Sequence, residues 1–290
     1  MSDARAAPYR FCGSKLVPWS ALDVRVTSRL VILVMCGSFN PIHRAHIAMF
    51  DAAREALMPP KEATDVSPTV VVAGGFISPA NDDYGKGNLR PFAQRAAICR
   101  AALADHTSLA LDEWEGLQPT YVRTFYVLEH LQKAAQRWYE TDAAPNKAQL
   151  EWVRQHPLQV VFLCGSDLFA TFFQPGCWAL GLLRRLLESF GVVVTRRAGS
   201  AAGCAEMLRR HGSLLQGRVE DTEGGRGTTP MTLDLSKYRF TEVEIFTNNI
   251  SSSAIREALA ADPSAELSSL VPAGAESLIR AFYTKDAQLS

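Results

Sequence analysis

No apolar run in the 290 residues approaches the roughly 18 consecutive residues needed to cross a bilayer. The longest, Leu30 to Cys36, has the length of a strand. No membrane-spanning role is expected. An excess of one charge is also missing: lysine plus arginine and aspartate plus glutamate number 30 each. No global field therefore recruits nucleic acid or a membrane surface, and any anion site has to be built locally. No C-x-x-C pair occurs among Cys12, Cys36, Cys99, Cys164, Cys177 and Cys204, which removes the usual zinc and dithiol patterns. Cys36 and Cys164 lie inside apolar runs, where a small buried hydrophobe fits. A reducing compartment is the natural expectation, the cytoplasm by default with nucleus and mitochondrion open. Internal repeats and dense carboxylate clusters are absent too.

What is present is a hydrophobic fraction of 47%, enough to bury a large core in one domain, placed at residues 29–285. The first 28 residues carry Arg5, Arg10, Lys15 and Arg25, with Pro8 and Pro18 interrupting any helical period. They read as a mobile extension, with a transit peptide as the alternative. Six short runs rich in β-branched residues look like strands: Leu30–Cys36, Thr69–Ala73, Ser108–Leu111, Gln159–Cys164, Phe190–Thr195 and Val243–Thr247. Helical patterns fall between them at His46–Leu57, Pro91–Ala104, Tyr121–Gln136 and Trp178–Ser189, and two more close the chain, Ser251–Leu259 and Ser268–Tyr283. The order predicts an α/β fold, doubly wound, with a mostly parallel six-stranded sheet and helices on both faces. Two stretches break the rhythm and read as surface insertions, near 138–155 and 216–237, the second expected to be disordered.

In such a sheet, ligands bind beyond the carboxyl ends of the strands where strand order reverses. After the first strand comes Gly37-Ser38-Phe39-Asn40-Pro41-Ile42-His43-Arg44-Ala45-His46. The glycine permits close backbone approach, and the start of a helix favours an anion. His43 and His46 fall on one face of the first turn, where two imidazoles could meet phosphate oxygens. The plainer alternative is that Ser38 or Asn40 caps the helix and the histidines are surface residues. Far along the chain, Ile250-Ser251-Ser252-Ser253-Ala254-Ile255-Arg256 offers hydroxyls at another helix start and an arginine fork three residues past Ser253. An ordinary serine cap with a solvated arginine is the competing reading.

The pairing G-S-F-N-P-x-H-x-x-H with I-S-S-S-x-x-R resembles the nicotinamide/nicotinate mononucleotide adenylyltransferases of the nucleotidyltransferase superfamily, from about Leu30 to Phe282. Gly75-Phe76-Ile77-Ser78-Pro79, the loop from Tyr84 to Leu89, Glu113-Trp114-Glu115, Cys164-Gly165-Ser166-Asp167-Leu168 and Val194-Thr195-Arg196 are similar to the eukaryotic form. Departures are Ala45 for a usual glycine, His43 and Ser253 for frequent threonines, and Tyr121 for a second tryptophan.

The resemblance implies a Rossmann-like fold and transfer of AMP from ATP to the mononucleotide, giving NAD or its deamido form and pyrophosphate. It implies Mg2+ held mainly by substrate phosphates and water. His46, Arg256 and His43 would be the catalytic group, and Gly37, Ser38, Phe39, Lys86, Gly165, Asp167, Ser252 and Ser253 the ATP and phosphate group. Trp114 would stack on the pyridine ring, with Thr124, Trp178, Arg196 and Asn249 completing the mononucleotide site. For Asp167 and Trp178 a cap and a turn-packing role remain alternatives, and a lone Trp114 would more often be core. The expected partners are ATP and the mononucleotide, with no nucleic acid or membrane, and homo-oligomerisation is left open. The competing functions are an adenylyltransferase for another phosphate acceptor, such as phosphopantetheine, and a non-catalytic nucleotide-binding regulator or chaperone.

Overall fold

The computed structural model describes residues 9–58, 69–197, 202–218, 229–245 and 250–284. Its main sheet has six parallel strands: β1 (Thr27–Gly37), β2 (Thr69–Pro79), β3 (Leu109–Leu111), β4 (Gln159–Gly165), β5 (Gly191–Arg197) and a late strand at Phe240–Ile245. Between β5 and that late strand a short antiparallel pair, β6 (Leu214–Arg218) and β7 (Pro230–Asp234), forms a separate two-stranded sheet, so the late strand is β8. The order β3-β2-β1-β4-β5-β8 reverses direction between β1 and β4, which is where a doubly wound sheet opens its crevice. The fold is Rossmann-like.

Both faces of the sheet are buried, and this explains why its strands read as nearly unbroken apolar runs. Along β1, Leu30, Ile32 and Val34 point into one core with Phe162 and Val192, while Leu33 and Met35 point into the other with Leu163 and Val193. The first core is covered by α3 (Thr124–Glu140), α4 (Lys147–Gln155) and α6 (Leu180–Ser189). The second is covered by α1 (Arg44–Leu57), α2 (Phe92–Ala102), α8 (Ser252–Ala261) and α9 (Ala273–Tyr283). Short helices α5 (Ser166–Ala170) and α7 (Cys204–His211) complete the set among the described residues. None of the described helices is long and apolar enough to cross a membrane.

Four expectations are corrected. Residues 9–26 are not a loose extension: Leu16, Trp19 and Leu22 are buried in the first core, the Trp19 indole N–H donates to Tyr139 O at 3.2 Å, and the Tyr139 hydroxyl donates to Val17 O at 2.6 Å. The area these side chains remove from water outweighs the entropy of fixing a short segment. Strand β2 does not stop at Ala73 but runs through Gly74 and Gly75 to Pro79, because Gly75 lies under the Phe50 ring, where a Cβ would come within 2.3 Å.

The stretch near 138–155 is no surface insertion. Asn146 and Gln149 form a reciprocal capping box at 2.9 Å each, and α4 buries Val153 completely. The second stretch, 216–237, is ordered at its flanks, where Met231 and Leu233 of β7 and Leu235 of the turn after it are buried in the core. Its glycine-rich centre, 219–228, lies outside the described residues.

Candidate functional site

The first loop is held from beneath by a residue that pattern reading overlooked. Arg95 of α2 is fully buried and donates to Ser38 O at 2.9 Å, Ala80 O at 2.7 Å, Arg90 O at 2.7 Å and Asp82 Oδ1 at 2.9 Å. A buried guanidinium with such a set of acceptors is satisfied rather than costly. Asn40 fastens the same loop, donating to Asn88 O at 2.9 Å and accepting from the Arg90 amide and the Tyr283 hydroxyl. The ring of Phe39, whose φ is 43°, packs edge-on against His46 at 5.0 Å. A bulky side chain seldom takes that left-handed conformation, so the surrounding bonds must over-determine it. The loop is thus fastened to α2 through Arg95 and to α9 through Tyr283.

The two histidines stack 3.8 Å apart where α1 begins, with His43 in the N-cap position. The His43 amide donates to His46 Nδ1 at 3.2 Å. A neutral His46 therefore carries its proton on Nε2, as a donor to a ligand in the cleft that it lines. Neutral it is, because burial and the nearby Arg197 push its pKa down to about 4. Burial, His46 and Arg197 push His43 down to about 2 against the pull of Asp167. His43 Nδ1 is buried and has no hydrogen-bond partner within the protein. Such a group is expected to meet a ligand or solvent atom.

The late serine turn closes onto this loop. Ser251 caps α8, accepting from the Ala254 amide at 3.1 Å. Ser252 Oγ donates to Pro41 O at 2.8 Å, and Arg256 donates to Asn40 O at 2.6 Å and to Ser253 Oγ at 3.1 Å. Residues some 200 positions apart in the chain thus share one rim of a cleft of about 740 Å³. Its lining includes Gly37, Ser38, Phe39, His43, His46, Lys86, Thr124, Gly165, Asp167, Trp178, Ser252, Ser253 and Arg256. Gly165 and Asp167 sit where β4 runs into α5; Asp167 Oδ1 accepts from the Leu168 amide at 2.9 Å and would be 2.5 Å from a Cβ at Gly165. The Trp178 indole N–H is held by Thr171 Oγ1 at 2.9 Å.

Two expected site residues are not brought in, and a third lies outside the described residues. Trp114 does not line the cleft; its ring lies flat on His130 of α3, 4.0 Å away and 6° from parallel, because the turn after β3 sends Glu115 toward the cleft and its neighbour the other way. Arg196 is on the wrong face of β5. Successive strand residues alternate sides, so Thr195 and Arg197 line the cleft while Arg196 pairs with Glu242 at 2.7 Å and Glu244 at 3.3 Å on β8. Asn249 lies outside the described residues.

In their place the cleft receives Tyr84, Glu115, Tyr121, Arg123 and Arg197. The parity of β5 could have pointed to Arg197. Arg123 escapes a helical reading that starts at 121; α3 begins at Thr124, leaving it and Tyr121, the residue that stands for a second tryptophan, on the loop before it. The rings of Tyr84 and Tyr121 stand 5.3 Å apart.

Although the chain is neutral overall, Lys86, Arg123, Arg197 and Arg256 line the cleft against only Glu115 and Asp167. Glu115 is only 3% exposed, and burial pushes its pKa up to about 7 in spite of the Ser78 hydroxyl that donates to it at 2.8 Å. The site is locally cationic.

A doubly wound sheet with a cationic crevice at its switch point, fed by two helix starts, defines a nucleotide-binding α/β architecture. The model of the cytidylyltransferase-like family matches residues 34–258, and the chain belongs to that family. It is 33% identical over 171 residues to the nicotinamide/nicotinic acid mononucleotide adenylyltransferase of Schizosaccharomyces pombe, covering 59% of this chain and 43% of that protein. Against the Arabidopsis thaliana protein of the same name, identity is 34% over 169 residues, covering 58% of this chain and 63% of that one. The Danio rerio nicotinamide/nicotinic acid mononucleotide adenylyltransferase 2 is 28% identical over 251 residues, with 66% and 79% covered. The chain thus spans about half the length of the first two of these relatives. In fold it is similar to the Plasmodium falciparum nicotinic acid mononucleotide adenylyltransferase complexed with NaAD, with a TM-score of 0.53 at 14% identity over 90% of this chain and 100% of that one.

Proposed function

We propose that this chain transfers the adenylyl group of ATP to nicotinamide or nicotinate mononucleotide, giving NAD or deamido-NAD and pyrophosphate. The observation that carries the reading is the fastening of Arg256 to Asn40 O beside the His43–His46 pair, which sets donors from both ends of the chain around one cleft. The names of the relatives point the same way.

The chemistry needs no nucleophilic side chain. The attacking atom is a phosphate oxygen of the mononucleotide, already largely a dianion near pH 7 because its second pKa is about 6. It bonds to the α-phosphorus of ATP as the bond from that phosphorus to the bridging α–β oxygen breaks. Pyrophosphate leaves with the electron pair. Charge then builds on the phosphate oxygens, where His46 Nε2–H, the Arg256 fork, Lys86 and Arg197 can stabilise it without reorganising. Ser38, Ser252 and Ser253 add hydroxyls, Gly37 allows the backbone to come close, and Gly165 with Asp167 receives a ribose. Tyr121 and Trp178 take the ring-packing role in place of Trp114, while Thr124 borders that end.

A divalent cation, Mg2+, enters with the triphosphate as part of the substrate. Among the described residues no group of three or more His, Cys, Asp and Glu is placed to hold an ion, so substrate oxygens and water supply most of its coordination. The test is incubation of the full chain with MgATP and, separately, nicotinamide mononucleotide, nicotinate mononucleotide and phosphopantetheine, followed by chromatography and a pyrophosphate assay. Dinucleotide with either pyridine acceptor supports the reading. Pyrophosphate released only with phosphopantetheine, or with no acceptor at all, rejects it.

A further inference from the structure

We propose that Tyr9 is a positioning residue for the mononucleotide side of the cleft; this rests on the adenylyl-transfer reading above. The turn after β3 runs from Asp112 to Gln118 and delivers Glu115 into the cleft. On its cleft side it is anchored by Ser78, which donates to Glu115, and by Asn81, which donates to Gln118 O at 2.6 Å. Its other side depends on a closed circuit that passes through the N-terminal segment.

The Tyr9 hydroxyl donates to Asp112 Oδ1 at 2.7 Å and lies 3.1 Å from His130 Nε2. A phenol has one proton, and Tyr9 gives it to the carboxylate, so His130 donates from Nε2 to the phenolic oxygen. Burial keeps His130 neutral near pH 7, its pKa lowered to about 4. Asp112 Oδ2 accepts from the Trp114 amide at 3.2 Å, and the Trp114 ring lies on His130. The path Tyr9–Asp112–Trp114–His130–Tyr9 returns to its start. Every member is held by two others, and hydrogen bonds chained in this way strengthen one another.

The consequence concerns one substrate only. Glu115 follows Trp114 directly, and Tyr121, Arg123 and Thr124 follow on the same connection, all four lining the cleft. Nothing in the Tyr9 circuit touches the loop from Gly37 to His46. The strap formed by residues 9–22 therefore holds the turn from which Glu115 enters the cleft, on the connection assigned above to the mononucleotide. The geometry also gives the half-buried Trp114 a use: its ring, stacked on His130, keeps the turn down on α3.

Tyr9→Phe tests this, because it keeps the ring and removes only the hydroxyl. Hydrogen exchange of the full chain should speed up at the amides of 112–118 and remain unchanged in β1 and β4. KM for nicotinamide mononucleotide should rise about tenfold, the scale of one hydrogen bond to a charged group, while KM for ATP and kcat stay within about twofold. Unchanged exchange at 112–118 overturns the proposal. So does faster exchange with both KM values unchanged or shifted alike, which would mark a purely structural contact. Should the wild-type chain make no dinucleotide, the activity reading fails on its own. Calorimetric titration of nicotinamide mononucleotide into both proteins then decides on Tyr9, with a weaker Kd in the variant expected and equal affinity, or binding to neither, overturning it.

Discussion

Replacing His46 by alanine isolates the donor on which the proposed chemistry leans hardest. Its Nδ1 is committed to the His43 amide, so only Nε2–H remains for a phosphate oxygen, and burial has already removed the ring's charge. Loss of one preorganised donor from an anionic transition state typically costs about 100- to 1000-fold in kcat, or about 2.7–4 kcal/mol. The same change removes one backbone-to-ring hydrogen bond and the Phe39 and His43 ring contacts, on the order of 1–3 kcal/mol of stability, which a domain with two full cores should survive. The assay is steady-state formation of the dinucleotide from MgATP and mononucleotide, alongside a thermal melt to establish that the variant is folded. His46→Gln, which can set an amide N–H near the position of Nε2, should recover roughly tenfold of the loss. Because both histidines are already neutral in the free chain, wild-type kcat/KM should show no histidine titration between pH 6 and 8. Turnover of folded His46→Ala within threefold of wild type, on the order of half a kcal/mol, would remove this donor from the mechanism.

Three further outcomes are expected. Burial lifts Glu115 from its usual 4.5 to about 7, so between those values the folded chain holds a proton that the unfolded chain releases, and stability falls as pH rises through that window. Glu115→Gln keeps an acceptor for Ser78 but cannot ionise; in urea unfolding its stability relative to wild type should grow from pH 5 to pH 8, by about 3 kcal/mol at most, and a constant difference refutes the cause. Gly75→Ala would set a Cβ 2.3 Å from the Phe50 ring and 2.9 Å from Leu33 O; overpacking of that kind costs about 1–3 kcal/mol, read as a lower urea midpoint, and an unchanged midpoint would mean that Phe50 can step aside. Excess EDTA should abolish dinucleotide formation, and added MgCl2 should restore it, with no change in the melting temperature of the nucleotide-free chain; turnover that persists in EDTA rejects a cation carried in by ATP.

Pattern along the chain was enough for the succession of strands and helices that build the main sheet and for the residues of the His46–Arg256 rim. Both are written locally: apolar runs of strand length, and a glycine turn or serine run at a helix start, carry their meaning within ten residues. His46, Arg256 and Ser253 could be picked out before any fold was known, because their spacing to a helix start is itself the signal. Two residues expected in the cleft, Trp114 and Arg196, were misplaced because their placement depends on which way a side chain points once distant parts have packed. Arg196 and Arg197 differ only by strand parity, and it takes the neighbouring Glu242 and Glu244 to show which one turns away. Trp114 reads as a ring partner in the sequence, and only the fold lays it on His130, which Tyr9 of the N-terminal strap touches from its own side. That strap had no periodic pattern to betray it. Its anchor Trp19 finds Tyr139 across 120 residues and Leu16 packs over Gly74, and burial over such spans is decided only in the folded chain.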